Sequence, residues 1–301
     1  MNTILQAIGN TPMVEIAKLN PNPNVKIFAK LEGSNPGGSM KDRVALAMIE
    51  TAEKTGRLAP GKTIIEVTNG NTGIGIAMVA AAKGYKAIIV SPENINDDRR
   101  RIIENFGAQI LTVKPEMWRE GAIEMVSNLA ALDPNLFVLD QFSNPENCNT
   151  HYRVTGREII RQVPGQIDYF ISCVGTGGTI AGIARQLRES YPEVRVIGIQ
   201  PRIWGSDSLV ETGTLPMILN HNLPCGNHSG AMVDAIVEVG EKEAQEMARR
   251  LAREEGIFAG ISAGAALIVA RRYAEKIKQG TIVTIFPDRG ERYLATEIFK
   301  S

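Results

Sequence analysis

Short unbroken runs of β-branched and other apolar residues recur along the chain, at residues 25–29, 63–67, 87–90, 110–113, 137–139, 169–174, 194–199 and 282–286. Such runs suit strands buried on both faces. Between most of them the apolar positions take a helical period, at residues 72–83, 97–106, 120–132, 179–190, 241–255 and 263–278. Alternation of the two patterns predicts an α/β fold with a mainly parallel sheet. Gly84 and Gly107 follow two of the helical stretches, where a residue able to take positive φ commonly ends a helix. Pro92, Pro115 and Pro164 fall between elements. With no repeat, low-complexity tract or flexible linker, the pattern suggests two lobes sharing one chain. Residues 201–230 are the least regular, with Pro, Gly, Asn and His and little periodicity, and long irregular loops in compact domains are usually functional or mobile.

Composition narrows the function classes. With 301 residues and 44% hydrophobic content, the chain can fill one large domain or two small ones. Lys+Arg and Asp+Glu are 33 each, so neither nucleic acid nor an acidic membrane is an expected partner. The first ten residues lack a basic, apolar leader pattern and no stretch is long enough for a membrane span, which predicts a cytoplasmic protein. Cys148, Cys173 and Cys225 lack CxxC spacing, so they are read as ordinary thiols, outside any disulfide framework or zinc site. His221 and His228 have no third ligand at suitable spacing, so no metal is expected.

Three segments carry candidate chemistry. In NPGGSMKDR (residues 35–43) a turn opens a helix, placing Lys41 in its first turn. The helix dipole opposes a cation there by about 0.3–1 kcal/mol and favours the neutral amine that attacks an aldehyde. A solvated surface lysine, with Asp42 compensating the dipole, is the alternative. In CVGTGGT (residues 173–179) a strand runs through glycines into a helix, a cup whose amides can hold a phosphate. The spacing is neither a Walker motif nor a GxGxxG with a following acid, so a nucleotide is not the natural ligand. The third segment, FAGISAGAA (residues 258–266), is again a turn into a helix, with Ser262 as a plausible N-cap.

Together with IGNTP (8–12), TNGNTG (68–73), DQFSNP (140–145) and DRGERY (288–293), these segments resemble the ordered motifs of the cysteine synthase and cystathionine β-synthase family, closest to its B-type cysteine synthase branch. The resemblance runs from Ile8 to Tyr293. It implies a two-lobed fold-type II enzyme dependent on pyridoxal 5'-phosphate, each lobe a mainly parallel twisted sheet flanked by helices. Residues 1–36 and 146–301 would form the larger cofactor lobe, and 37–145 a smaller mobile lobe. Lys41 would be the Schiff-base lysine and proton carrier. Asn71 would bond the cofactor's 3'-oxygen, Gly175, Thr176, Gly177, Gly178 and Thr179 its phosphate, and Ser262 would face the pyridine nitrogen. Thr68, Asn69, Gly70, Thr72 and Gln141 would surround the substrate carboxylate. The implied reaction is β-replacement through an α-aminoacrylate intermediate: O-acetylserine and sulfide give cysteine and acetate. The resemblance also implies a homodimer.

The chain departs from the family at Asn69, where serine is usual, at Ala263, and between Trp204 and Gly230, where a glycine-rich segment of the A-type enzymes is missing. These departures keep open relatives that take cysteine or serine as donor, releasing sulfide or water, and a diaminopropionate-type synthase. Asp234 is either a cap or salt-bridge residue or a base that helps water or a thiol attack. His151 and Tyr152 are read as packing residues opening a helix.

Overall fold

Every expected strand and helix is present in the computed structural model, which describes residues 3–201 and 233–299. In chain order the strands are β1 (Met13–Glu15), β2 (Val25–Leu31), β3 (Thr63–Val67), β4 (Lys86–Pro92), β5 (Gln109–Val113), β6 (Leu136–Val138), β7 (Tyr169–Cys173), β8 (Arg195–Pro201), β9 (Ala235–Val239) and β10 (Gly280–Phe286). The helices are α1 (Lys41–Lys54), α2 (Asn71–Lys83), α3 (Asp97–Asn105), α4 (Glu120–Leu132), α5 (Glu146–Thr150), α6 (Gly156–Gln162), α7 (Gly178–Ser190), α8 (Glu241–Arg250) and α9 (Ile261–Ala274). A π-helical turn, His151–Thr155, joins α5 to α6, and another, Leu251–Glu255, extends α8. No helix among the described residues is long and apolar enough to cross a membrane.

The chain divides into two compact units, one of Met1–Ile8 with Lys41–Asn147, the other of Gly9–Met40 with Cys148–Ser301. The first holds a fully parallel sheet in the order β5-β4-β3-β6. The second holds β1-β2-β10-β7-β8-β9, parallel except for the short edge strand β1.

Both sheets are covered on both faces, which explains the unbroken apolar runs. In the first unit Ile64 and Ile89 belong to one core with α1 and α2, while their chain neighbours Ile65 and Val90 belong to another with Ala122 and Val126 of α4. In the second unit Ile27, Ile171, Ile197 and Ile282 pack toward α8 and α9, and Phe28, Phe170, Val196 and Val283 pack toward α6 and α7. Each such buried side chain contributes about 1.5–3 kcal/mol of transfer free energy. Close helix contacts rest on small residues: a Cβ added at Gly264 would collide with the Ala244 carbonyl of α8.

Candidate active site

The loop before Lys41 belongs to the second unit. The Arg292 guanidinium donates to the Gly37 carbonyl, Ser39 bridges Asp288, and the Met40 amide donates to the Pro287 carbonyl at 2.9 Å. Gly38 takes φ +83°, which opens the turn. One residue later α1 begins with Lys41, half-buried, followed by the fully buried Asp42. The first turn of α1 is seated against α2, since a Cβ at Gly75 would lie 3.0 Å from the Lys41 carbonyl oxygen. Gly75 is one turn beyond Asn71, so within the first unit Lys41 starts beside the loop that opens α2.

That loop, Thr68 to Thr72, leaves the C-terminal end of β3. Its Thr68 hydroxyl accepts from the Gly70 amide at 3.1 Å, and Arg99 donates to the Asn69 carbonyl at 3.1 Å. Thr68, Asn69 and Thr72 are all at least nine-tenths buried. Gln141 comes from the loop after β6. Its Nε2 donates to the Val67 carbonyl at 2.9 Å and its Oε1 accepts from the Thr72 hydroxyl at 2.8 Å. The Val67 contact requires an amide donor, so it fixes which way the carboxamide points. The structure thus brings Thr68, Asn69, Gly70, Asn71, Thr72 and Gln141 together.

In the second unit β7 runs through Gly175, Thr176 and Gly177 into α7. Gly177 is the N-cap at φ +81°, with no side-chain cap and no acid in the first turn. A Cβ built on Gly175 meets nothing within 4 Å, leaving space over the backbone for a ligand. Amides of a first helical turn have no intrahelical acceptor and point out of the helix end, so a phosphate monoester fits this cradle. Thr179 closes it. Its hydroxyl lies 3.6 Å from the Met40 sulfur and 3.2 Å from His151 Nε2. Met40 is the last residue before α1. Alanine at Gly175 is expected to weaken cofactor binding by about tenfold, with apoprotein stability within about 0.5 kcal/mol of wild type. Titration of apoprotein with pyridoxal phosphate and urea unfolding read the two effects separately.

His151 was read as packing, and it is fully buried, but it also touches the cradle. Its Nδ1 lies 3.0 Å from the Thr155 hydroxyl. When Thr155 donates to Nδ1, Nε2–H donates to Thr179, whose own O–H points to the weakly accepting Met40 sulfur and can turn to an anion.

Ser262 is not the N-cap of its helix. Gly260 is, without a side-chain cap, and Ser262 is the second residue of α9. The turn ends two residues earlier than serine's capping preference suggests, since Ala259 bridges Arg289 and the Gly260 amide bonds the Asp288 carbonyl. The Ser262 carbonyl accepts the Cys173 thiol at 3.4 Å. Burial, with the Asp288 charge, pushes that thiol up to about 12, so Cys173 is inert near neutrality. α2, α7 and α9 share one feature: a glycine N-cap and no acid in the first turn. α8 also follows a glycine, but Glu241 and Glu243 neutralise its end. An uncompensated positive helix end suits an anionic or electron-rich group.

Asp234 lies elsewhere. Its Oδ2 accepts from the Val196 amide at 2.6 Å and pairs with Arg188 at 3.0 Å. Arg188 is nine residues along α7 from Thr179, roughly 14 Å at 1.5 Å per residue, so the geometry favours the salt-bridge role over the catalytic one. Cys148 is disulfide-bonded, not the ordinary thiol expected, and Cys173 is free. His221, His228, Cys225 and, apart from Pro201, the irregular 201–230 segment lie outside the described residues.

The model of a family described as pyridoxal-phosphate dependent enzyme matches residues 4–288. Cysteine synthase B of Salmonella typhimurium is 41% identical, over 99% of this chain and 96% of its own. Among solved structures, an O-ureido-L-serine synthase superposes with a TM-score of 0.89 at 36% identity, covering 99% of this chain and 95% of the other. A hydrogen sulfide-producing enzyme from Fusobacterium nucleatum gives 0.86 at 36% identity, covering 98% and 100%.

Proposed function

The chain belongs to the pyridoxal-phosphate dependent enzyme family, and from that premise we propose that it is a cysteine synthase, replacing the acetoxy group of O-acetylserine with sulfide. The observation that carries the reading is the seating of Lys41 against α2, beside the Thr68–Thr72 loop.

When bound, the cofactor withdraws electrons from the donor's Cα, which makes the α-hydrogen acidic and the Cβ substituent able to leave. The protein's residues supply the rest. Lys41 Nζ would hold the cofactor covalently and, once the donor's amino group has displaced it, would take the α-proton as the free amine. The α2 end, with Thr72 and Gln141, holds the donor carboxylate, and Asn71 is assigned to the cofactor's 3'-oxygen. Gly175, Thr176, Gly177, Gly178 and Thr179 hold the phosphate. Ser262, a neutral hydroxyl on a positive helix end, leaves the ring nitrogen unprotonated, which favours loss of the β-substituent over accumulation of a carbanion. The unit carrying the glycine cup is assigned as the cofactor lobe and the unit carrying Gln141 as the carboxylate lobe. The family resemblance further supports a cytoplasmic homodimer.

Purified holoenzyme is expected to form cysteine from O-acetylserine and sulfide faster than it consumes cysteine or serine. Activity with cysteine or serine as the only donor overturns the choice of reaction. Asn69→Ser, assayed alongside, is expected to shift the ratio of kcat/KM between donors, since the longer amide narrows the space beside the carboxylate.

A further inference from the structure

Beneath the Thr68–Thr72 loop lies an acid that the reaction does not use. Glu66 is the penultimate residue of β3 and 2% exposed. Its Oε1 accepts from the Val67 amide at 3.0 Å and its Oε2 from the Gln141 amide at 3.2 Å. The Gln141 carbonyl accepts from Asn147 at 2.8 Å, and the Gln141 side chain already joins Val67 to Thr72. One carboxylate and one carboxamide therefore fasten the end of β3 to the Gln141 loop. Truncating Glu66 leaves two buried amides without their acceptor.

We propose that Glu66 is a positioning residue for this loop, and that its charge state sets how tightly the loop holds the carboxylate of the amino-acid donor. The proposal rests on the assignment of residues 68–72 as the carboxylate loop and adds a control beneath it.

The surroundings give the sign. Burial, then the charge of Asp140, raises Glu66 to about 8, against the pull of the Gln141, Val67 and Asp140 amides. Around it the sheet is apolar, with Ile89 of β4 opposite Glu66 and Val138 of β6 opposite Ile65. Besides Lys41 at the start of α1, the cations near the loop are Arg99, on the Asn69 carbonyl, and Arg119, over the Phe142 ring at 4.6 Å. None of these is among the groups that shift Glu66. Near neutrality the acid is mostly protonated and adds no charge under the loop. As pH rises through its folded pKa a negative charge appears there, opposing a bound carboxylate. By linkage, a bound carboxylate makes Glu66 harder to ionise.

The test uses the holoenzyme and propionate, a carboxylate without an amino group, ionised from about pH 6 to about pH 9.5. Ligand-observed NMR titration gives its Kd across that range. Wild type is expected to bind with constant Kd at the acid end and about tenfold more weakly at the alkaline end, the effect of roughly one pKa unit of coupling. Glu66→Gln removes the charge and is expected to give a flat profile. Asp140→Asn keeps every bond of Glu66, and asparagine tolerates the φ of +53° at this exposed position. It is expected to move the break to lower pH. A flat wild-type profile, or the same break in Glu66→Gln, overturns the proposal for Glu66 alone. Propionate that binds at no pH removes the loop assignment and the proposal together.

Discussion

Lys41→Ala is expected to lower turnover by at least about a thousandfold, the combined loss of a covalent nucleophile and a general base. The loss falls on kcat, because the variant leaves the Thr68–Thr72 loop and Gln141 in place. KM for the donor is expected to stay within about threefold, since uniform binding is untouched. The cofactor is expected still to bind noncovalently, through the cradle proposed at Gly175–Thr179. Two other lysines are engaged elsewhere: Lys30 is fully buried against Glu158, and Lys83 pairs with Glu53 at 2.8 Å. Steady-state kinetics check the split. Turnover within tenfold of wild type contradicts the role given to Lys41.

Lys30→Met carries the second large effect, on stability. The Lys30 ammonium has three partners at 2.7 Å: Glu158 Oε2, the Thr11 carbonyl and Gln162 Oε1. Glu158 Oε1 in turn accepts from the Asn10 amide at 2.8 Å, and Gln162 Nε2 donates to Thr11 at 2.9 Å. This network clasps the Gly9–Pro12 turn, where Asn10 takes φ +45°, to β2 and α6. Removing one member of a buried pair strands the other, a cost of about 3–5 kcal/mol. Urea unfolding of the apoprotein measures it. The double variant Lys30→Met with Glu158→Leu is expected to recover part of the loss, because both charges then leave the interior. A single-variant cost below about 1 kcal/mol contradicts the clasp.

The same network shows where sequence reading reached its limit. Continuous apolar runs revealed the strands of both sheets because each is covered on two faces. The helical segment from Glu146 to Gln162 gave no such signal beyond its opening at His151. Much of its inward face is polar, with Asn147, His151, Thr155 and Glu158 all 3% exposed or less and only Cys148 and Ile159 as buried apolar residues among them, so the hydrophobic period is weak. β1 is only three residues long with none fully buried, and β9 is only partly buried along most of its length.

For the site, Lys41 at a helix start and the Gly175–Thr179 cup were legible from spacing alone. The role proposed for the Ser262 hydroxyl comes only from the family motif, and its place in the helix was misjudged by two residues. Asp234 was open in sequence between a cap or salt-bridge residue and a base, and it pairs with Arg188 at the far end of α7. His151 was missed as a neighbour of the cup, since a buried histidine in a polar segment looks like any other. A better signal was present: glycine before a helix together with the absence of Asp or Glu in its first turn, at Gly70, Gly177 and Gly260.

The central claim is that the Lys41 amine carries the cofactor. Borohydride reduction of the yellow holoenzyme followed by peptide mass mapping tests it most directly. A single phosphopyridoxyl adduct on the peptide containing Lys41 is the predicted result, and an adduct on any other lysine, or none, contradicts it.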